Sequence, residues 1–208
     1  ALAALRQAGD RGRAVTAAAR GAAEVARRLH AQGRVEGVLG LGGSAGTTIA
    51  TAAMRALPFG VPKLMVSTMA SGQVRPYVGV RDVCMLHSVV DLCGLNRISR
   101  TVLTQAARAM AGMVSALPDA APSPERDRPL LSATMFGVTT PCVEAARAAA
   151  ERAGYEVLVF HATGTGGSTM ESFIADGLIA GVLDLTTTEL ADELVGGVLS
   201  AGPDRLTA

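Results

Sequence analysis

The sequence predicts an α/β protein made of two tandem Rossmann-like subdomains with mainly parallel sheets. Three observations carry that prediction. Short aliphatic runs without polar alternation, Val35 to Leu41 and Val61 to Met69 among them, read as strands buried on both faces. Such runs alternate with stretches that carry apolar residues at helical spacing, as in the strand–helix–strand unit from Val35 to Met69, the rhythm that parallel pairing requires. A Pro-rich, charged stretch, Pro118-Asp119-Ala120-Ala121-Pro122-Ser123-Pro124 and on to Arg128, interrupts that rhythm once. It divides the chain into a first subdomain over 1–117, a linker over 118–129 and a second subdomain over 130–208.

Taken in order, Val15, Ala18, Ala22, Val25 and Leu29 mark an amphipathic helix that Gly33 ends. The Val35 strand stops at Gly42-Gly43-Ser44-Ala45-Gly46, and a helix runs through Thr48 to Leu57 until Pro58 and Gly60. Val61 to Met69 closes a strand–helix–strand unit. Val83 to Val90 is a third strand, and Leu103, Met110, Met113 and Leu117 trace a long helix that starts near Asn96. Past the linker, Leu130 to Phe136 is a strand, and a helix from Pro141 takes Thr140 as its cap. Glu156 to His161 is the next strand, and Gly164-Thr165-Gly166-Gly167 leads into a helix for which Ser168 and Glu171 form a capping box. Ile179 to Leu185 is the last strand, and Thr186 with Glu189 repeats the capping-box spacing.

Composition removes several function classes. A net charge of +1 with no basic stripe excludes the electrostatic footprint of a nucleic-acid or anionic-membrane binder, and an aromatic content of 3% leaves no base-stacking platform. No apolar run reaches the roughly 18 to 20 residues of a membrane span. The amino end has neither an initiator Met nor a signal-peptide pattern, so the chain reads as beginning within a longer protein. Cys84, Cys93 and Cys142 are odd in number and form no CxxC, which points to a reducing, cytoplasmic setting without a zinc site and to three small buried hydrophobes.

In open parallel sheets ligands bind at the carboxyl ends of the strands. The residues there are Gly42, Gly43, Ser44, Gly46, Thr47 and Thr48 after the first strand, with Thr68, Ser71 and Gly72 after the second. Gly137, Thr139 and Thr140 follow the first strand past the linker, and Thr163, Gly164, Thr165, Gly166, Gly167 and Ser168 the next. All are small or hydroxylic, which suits backbone N–H groups approaching an anion at a helix amino end. The same glycines also serve a tight turn without any ligand. The Walker pattern is absent, because the single lysine, Lys63, lies well beyond the first turn, and GxGxxG fails because the second turn has no third glycine at the required place.

Gly42-Gly43-Ser44-Ala45-Gly46 also satisfies G-x-S-x-G, the elbow of a serine hydrolase, with Asp91 or Asp184 and His161 as the remaining triad. No oxyanion loop of the HGGG type accompanies it. His30 and His87 read as structural. Arg75 and Arg97 are alternatives for forking onto a phosphate, and Asp184 for holding Mg²⁺, while Glu189 reads as a cap partner. No catalytic residue and no metal cluster stands out.

Gly42 to Thr47, Ala53-Met54-Arg55-Ala56-Leu57-Pro58, Gly60 to Gly72 and Gly94-Leu95-Asn96-Arg97-Ile98-Ser99 resemble the family of the tomato mosaic virus resistance protein. Met135 to Pro141, Gly164 to Gly167 and Gly181 to Leu190 match it in the same order, so the resemblance covers nearly the whole chain. It implies an ATP-binding domain of two α/β subdomains, with the turns Gly42 to Thr47 and Gly164 to Ser168 as nucleotide contacts facing a cleft between them; Mg²⁺ is expected to accompany the phosphates. It also implies a homodimer, since the plant members pair; the viral replication protein that those members bind is not implied for this chain. Relative to the family the chain is truncated at both ends: it lacks the amino-terminal strand with its Thr-x-Asp-Thr-Lys motif and the segment beyond Asp204. The expectation is a nucleotide-binding protein using Thr47, Thr139 and Ser168 as hydroxyl donors. The alternative is an enzyme acting on a phosphorylated or carboxylated metabolite through Lys63, Arg97 or Asp184.

Overall fold

A computed structural model describes residues 10–115 and 128–207, and most of the expected linker, 118–127, lies outside them. By its internal contacts the chain divides into two compact units, Ala1–Leu117 and Pro118–Ala208. Each is α/β and holds a three-stranded, wholly parallel sheet.

The first unit runs α1 (Arg11–Ala31), β1 (Val38–Gly42), α2 (Ser44–Arg55), β2 (Lys63–Ser67), α3 (Arg75–Val78), β3 (Cys84–His87) and α4 (Arg97–Val114). Asp10 opens α1 by accepting from the Arg13 amide. Asn96 opens α4 through a reciprocal capping box with Ser99. The sheet order is β1-β2-β3, and every residue of the central strand β2 is buried. Leu64 and Val66 pack against Val102 and Ala106 of α4 on one face. On the other face a Cβ at Gly40 would come within 2.6 Å of the Ala50 Cβ of α2, so that close approach requires glycine.

The strand at Val35 to Leu41 is not buried on both faces as expected. Leu39 is 41% and Leu41 51% exposed, because among the described residues β1 is an edge strand and α4 packs mainly against β2. Lys63 is fully buried, and its Nζ donates to Pro58 O at 2.7 Å, Val61 O at 2.9 Å and Asp82 Oδ1 at 2.7 Å. An ammonium has three N–H donors, and all three are used within the fold. Lys63 therefore holds the α2–β2 and α3–β3 connections together and offers nothing to a substrate.

The second unit runs β4 (Leu130–Met135), a 3₁₀ turn (Gly137–Thr139), α5 (Thr140–Arg152), β5 (Glu156–His161), α6 (Thr165–Ala175), β6 (Gly181–Leu183) and α7 (Thr188–Val195). The sheet order is β5-β4-β6 around a core of Ala133, Val143 and Val157. Both expected capping boxes in this unit are absent. α6 begins at Thr165 with Gly164 as N-cap, and α7 takes Thr187 as N-cap without a side-chain bond. Ser168, Glu171, Thr186 and Glu189 form tertiary bonds instead. All three cysteines are exposed rather than buried: Cys84 begins an outer strand, Cys93 lies in a loop and Cys142 on the open side of α5.

Candidate functional site

The turn after β1 is tight for a steric reason. A Cβ at Gly42 would lie 2.8 Å from Gly46 Cα, and one at Gly46 would lie 3.2 Å from Leu41 O. Gly43 is then the N-cap of α2 and supplies no capping side chain. The amides of Ser44, Ala45 and Gly46 have no acceptor among the described residues, and the first intrahelical-type bond is Thr47 N to Gly43 O at 2.8 Å. Ser44 and Ala45 line a groove of about 290 Å³ together with Arg11, Gly12 and Val15 of α1. Two of the three residues with open N–H groups, at the positive end of α2, thus share one groove with Arg11.

Behind this turn lies a buried hydroxyl chain. Met69 N donates to Ser67 Oγ at 2.9 Å, and Thr47 Oγ1 donates to Gly43 O at 2.8 Å. The 2.6 Å contact between Ser67 Oγ and Thr47 Oγ1 therefore has Ser67 as donor, which fixes every hydrogen in the chain. Thr47 is fully buried and its hydrogen is committed, so it braces the turn and is not a hydroxyl donor for a ligand. His87 stands level with Ser67 in the parallel register, which places the two side chains on the same sheet face. The His87 Nδ1 atom is buried without a partner among the described residues. Two residues on, Val89 has φ +64°, and Val90 N bonds back to Ser88 O at 2.7 Å. That is a γ-turn of the strained hand on a β-branched residue, at the carboxyl end of β3.

The turn after β5 differs from the first in one decisive respect: its anion is already present. Glu189 Oε1 accepts the amides of Gly164 at 2.7 Å and Gly167 at 2.9 Å, while its Oε2 accepts from Arg205 Nε at 3.0 Å. Arg205 also reaches Glu171 at 2.8 Å and Asp184 at 2.9 Å. Burial tends to lower the Arg205 pKa, but the Glu189 bond together with Asp184 and Glu171 outweighs it and leaves the pKa raised, so the guanidinium stays charged. Ser168 Oγ bonds to Gly164 O at 2.8 Å and Ala201 O at 3.1 Å, so its hydrogen too is taken internally.

Thr139 and Thr140 lie at the carboxyl end of β4, where Thr139 Oγ1 bonds to Phe136 O and meets Thr186 Oγ1 at 2.6 Å, and Thr140 Oγ1 bonds to Gly137 O. Phe136, Val138 and Thr139 with Leu185, Thr187 and Ala191 line a groove of about 540 Å³. It opens between the carboxyl ends of β4 and β6, the point where the β5-β4-β6 order reverses direction. Ser71 is exposed in the turn after β2, Arg75 and Arg97 are exposed at helix starts, and Thr165 is exposed on α6. His161 is exposed with its ring edge-on to Phe136. Ser44 has no positive φ and no histidine or carboxylate partner among the described residues. Among the described residues, no helix is long and apolar enough to cross a membrane.

Sequence reasoning missed the Glu189–Arg205 pair. The Thr186–Glu189 spacing was a real signal that the glutamate caps a helix, but the helix it caps is α6, reached across the fold. Nothing local to Arg205 marks it.

Comparison with known proteins places these features in a family. Residues 1–119 match the N-terminal domain, and residues 128–208 the C-terminal domain, of an uncharacterised protein family, UPF0261. A UPF0261 protein of Clostridium tetani is 54% identical over 199 residues, which cover 96% of this chain and 48% of that protein. The ToMV resistance protein Tm-1(GCR237) of Solanum lycopersicum is 49% identical over 174 residues, 83% of this chain and 23% of its own length. The ToMV susceptible protein tm-1(GCR26) of the same plant is 46% identical over 183 residues, 87% and 24% respectively. The chain thus spans about half the length of the bacterial relative it matches.

Proposed function

The chain belongs to the uncharacterised protein family UPF0261, and on that premise we propose that it is a nucleotide-binding protein that holds ATP by its phosphates at the turn of residues 42–47. The observation that carries this reading is the uncapped amino end of α2: the Ser44, Ala45 and Gly46 amides have no acceptor among the described residues, and Ser44 and Ala45 share a groove with Arg11. Gly43 contributes by leaving its side open, since a Cβ there would meet only Thr68 Oγ1, at 3.6 Å. The turn of residues 164–168 plays a different part, because Glu189 already supplies the negative charge its amides attract. The donors to phosphate are then backbone amides and Arg11, in place of the hydroxyls of Thr47, Thr139 and Ser168. Mg²⁺ accompanying the nucleotide takes its ligands from phosphate and water, as Asp184 is bonded to Thr134 and Arg205. The bare face of β1 at Leu39 and Leu41 supports the homo-oligomer expected from the resemblance.

Calorimetric titration of ATP into the wild type and a Ser44→Pro variant tests this. Proline is well tolerated at the first helical position, and Gly43, at φ −80° and ψ −158°, already has the extended backbone that precedes proline. The substitution removes one open amide and one hydroxyl, and the expected loss is at least about tenfold in affinity with an unchanged melting curve. ATP binding that ignores the substitution, or wild type that binds no ATP, overturns the reading. A second reading, an enzyme acting on a phosphorylated metabolite, is favoured by the unpartnered His87 Nδ1 and the strained turn at Val89. ATP consumption that appears only with a second small molecule, and disappears in His87→Gln, distinguishes it.

A further inference from the structure

We infer that the first unit carries a second anion site, distinct from the turn of residues 42–47: an arginine-lined groove between α1, α2 and the loop after α3 that takes a small molecule bearing more than one phosphate. The groove has a volume of about 560 Å³, within the usual range for small-molecule sites. Arg20 and Arg27 of α1, Arg55 of α2 and Arg81 of the loop line it, and no carboxylate does. Its floor is the alanine face on which the two helices meet, Ala19, Ala23 and Ala52, which leaves the room to the ligand. Arg20 and Arg55 make no ion pair among the described residues, while Arg27 is paired with Glu24 on its own helix. Gly79, at φ +60°, carries the loop beneath Arg55, whose Cδ would lie 3.5 Å from a Cβ there.

The chemistry selects the ligand. Arginine forks match phosphate oxygens two at a time, and Arg20 and Arg55, which line one groove with no ion pair among the described residues, favour clustered phosphates over a single carboxylate. No aromatic side chain lines the groove, so it offers no platform for a base or a planar ring. The charge here comes from side chains alone, because Arg55 is the last residue of α2 and the helix dipole at that end is negative. The eleven residues separating Ser44 from Arg55 correspond to roughly 16 Å of helix, too far for one triphosphate to occupy both places. The two grooves adjoin at Thr48, which lines both, and variants separate the two readings: Ser44→Pro alters the turn, and the arginine substitutions alter this groove.

Titration calorimetry with a sugar bisphosphate, inorganic phosphate and citrate, on the whole chain at low salt, provides the test. The bisphosphate is expected to bind wild type and the Ser44→Pro variant alike, and to bind tighter than phosphate or citrate. A double variant, Arg20→Gln with Arg55→Gln, should lose at least about 30-fold in affinity, since each removed fork takes charge-assisted bonds with it. Its melting curve should match wild type, because neither arginine has an ion-pair partner among the described residues. Arg20→Lys with Arg55→Lys, which keeps the charge and removes the fork, should fall between. No bisphosphate binding, equal binding of citrate, or binding that the glutamine pair leaves intact overturns the proposal.

Discussion

Replacing Gly167 by alanine is the sharpest probe of how the second unit is held together. A Cβ at this position would overlap Glu189 Oε2 and lie 2.6 Å from Glu189 Cδ and 2.8 Å from Arg205 Nε. The carboxylate cannot yield sideways, because its other oxygen is fixed by the Gly164 amide at 2.7 Å. Alanine therefore expels Glu189 from two amides and from Arg205, and breaking a buried charge pair costs about 3–5 kcal/mol. Glu189→Ala removes the same bonds by deletion and should cost a similar amount, moderated because Arg205 retains Glu171 and Asp184. In the double variant the alanine at 167 finds the space the glutamate has left, so its cost should stay within about 1 kcal/mol of Glu189→Ala alone. Urea denaturation of the full chain, followed by far-UV circular dichroism, measures all three. Additive losses, or a Gly167→Ala cost below about 1 kcal/mol, would refute the reasoning.

Three other substitutions or reactions check separate parts of the account. Lys63→Met leaves Asp82 Oδ1 and the carbonyls of Pro58 and Val61 without their shared donor, and should lower stability by about 3–5 kcal/mol in the same urea assay. A loss under about 1 kcal/mol would mean the buried ammonium is not structural. Val89→Gly relieves a positive φ at a residue that is 63% exposed, so stability should hold or rise by up to about 1 kcal/mol in the same assay; a fall of more than that would mean the turn is not strained. A thiol reagent such as dithionitrobenzoate should titrate Cys84, Cys93 and Cys142 in the folded protein, and protection of any of them contradicts the exposed placement.

What the sequence made legible was local. The run from Glu156 to His161 forms β5 with the bounds expected, because β-branched and aromatic residues lie between Gly154 and the small residues that end the strand. Asn96 opens α4 as its position before an apolar stripe implied. The unread part was tertiary. Val35 to Leu41 looks like a central strand by composition, but whether a second layer covers Leu39 and Leu41 depends on where α4 lands. Thr186 and Glu189 have the spacing of a local capping box, yet the glutamate reaches the amides of Gly164 and Gly167, which no short-range pattern encodes. The two Gly-rich turns accordingly look alike in sequence and differ in structure: one has open amides, and the other is closed by its own carboxylate. Gly166 is a steric requirement of the second turn, since a Cβ there would overlap His161 O.

The central claim, that phosphate is held at the amino end of α2, is tested most directly by amide chemical shifts. With the protein labelled by nitrogen-15, addition of ATP should move the resonances of Ser44, Ala45 and Gly46 together and leave Gly164 and Gly167, already bonded to Glu189, in place. Shifts at Gly164 and Gly167 without movement at Ser44 to Gly46, or no movement at either turn, would contradict it.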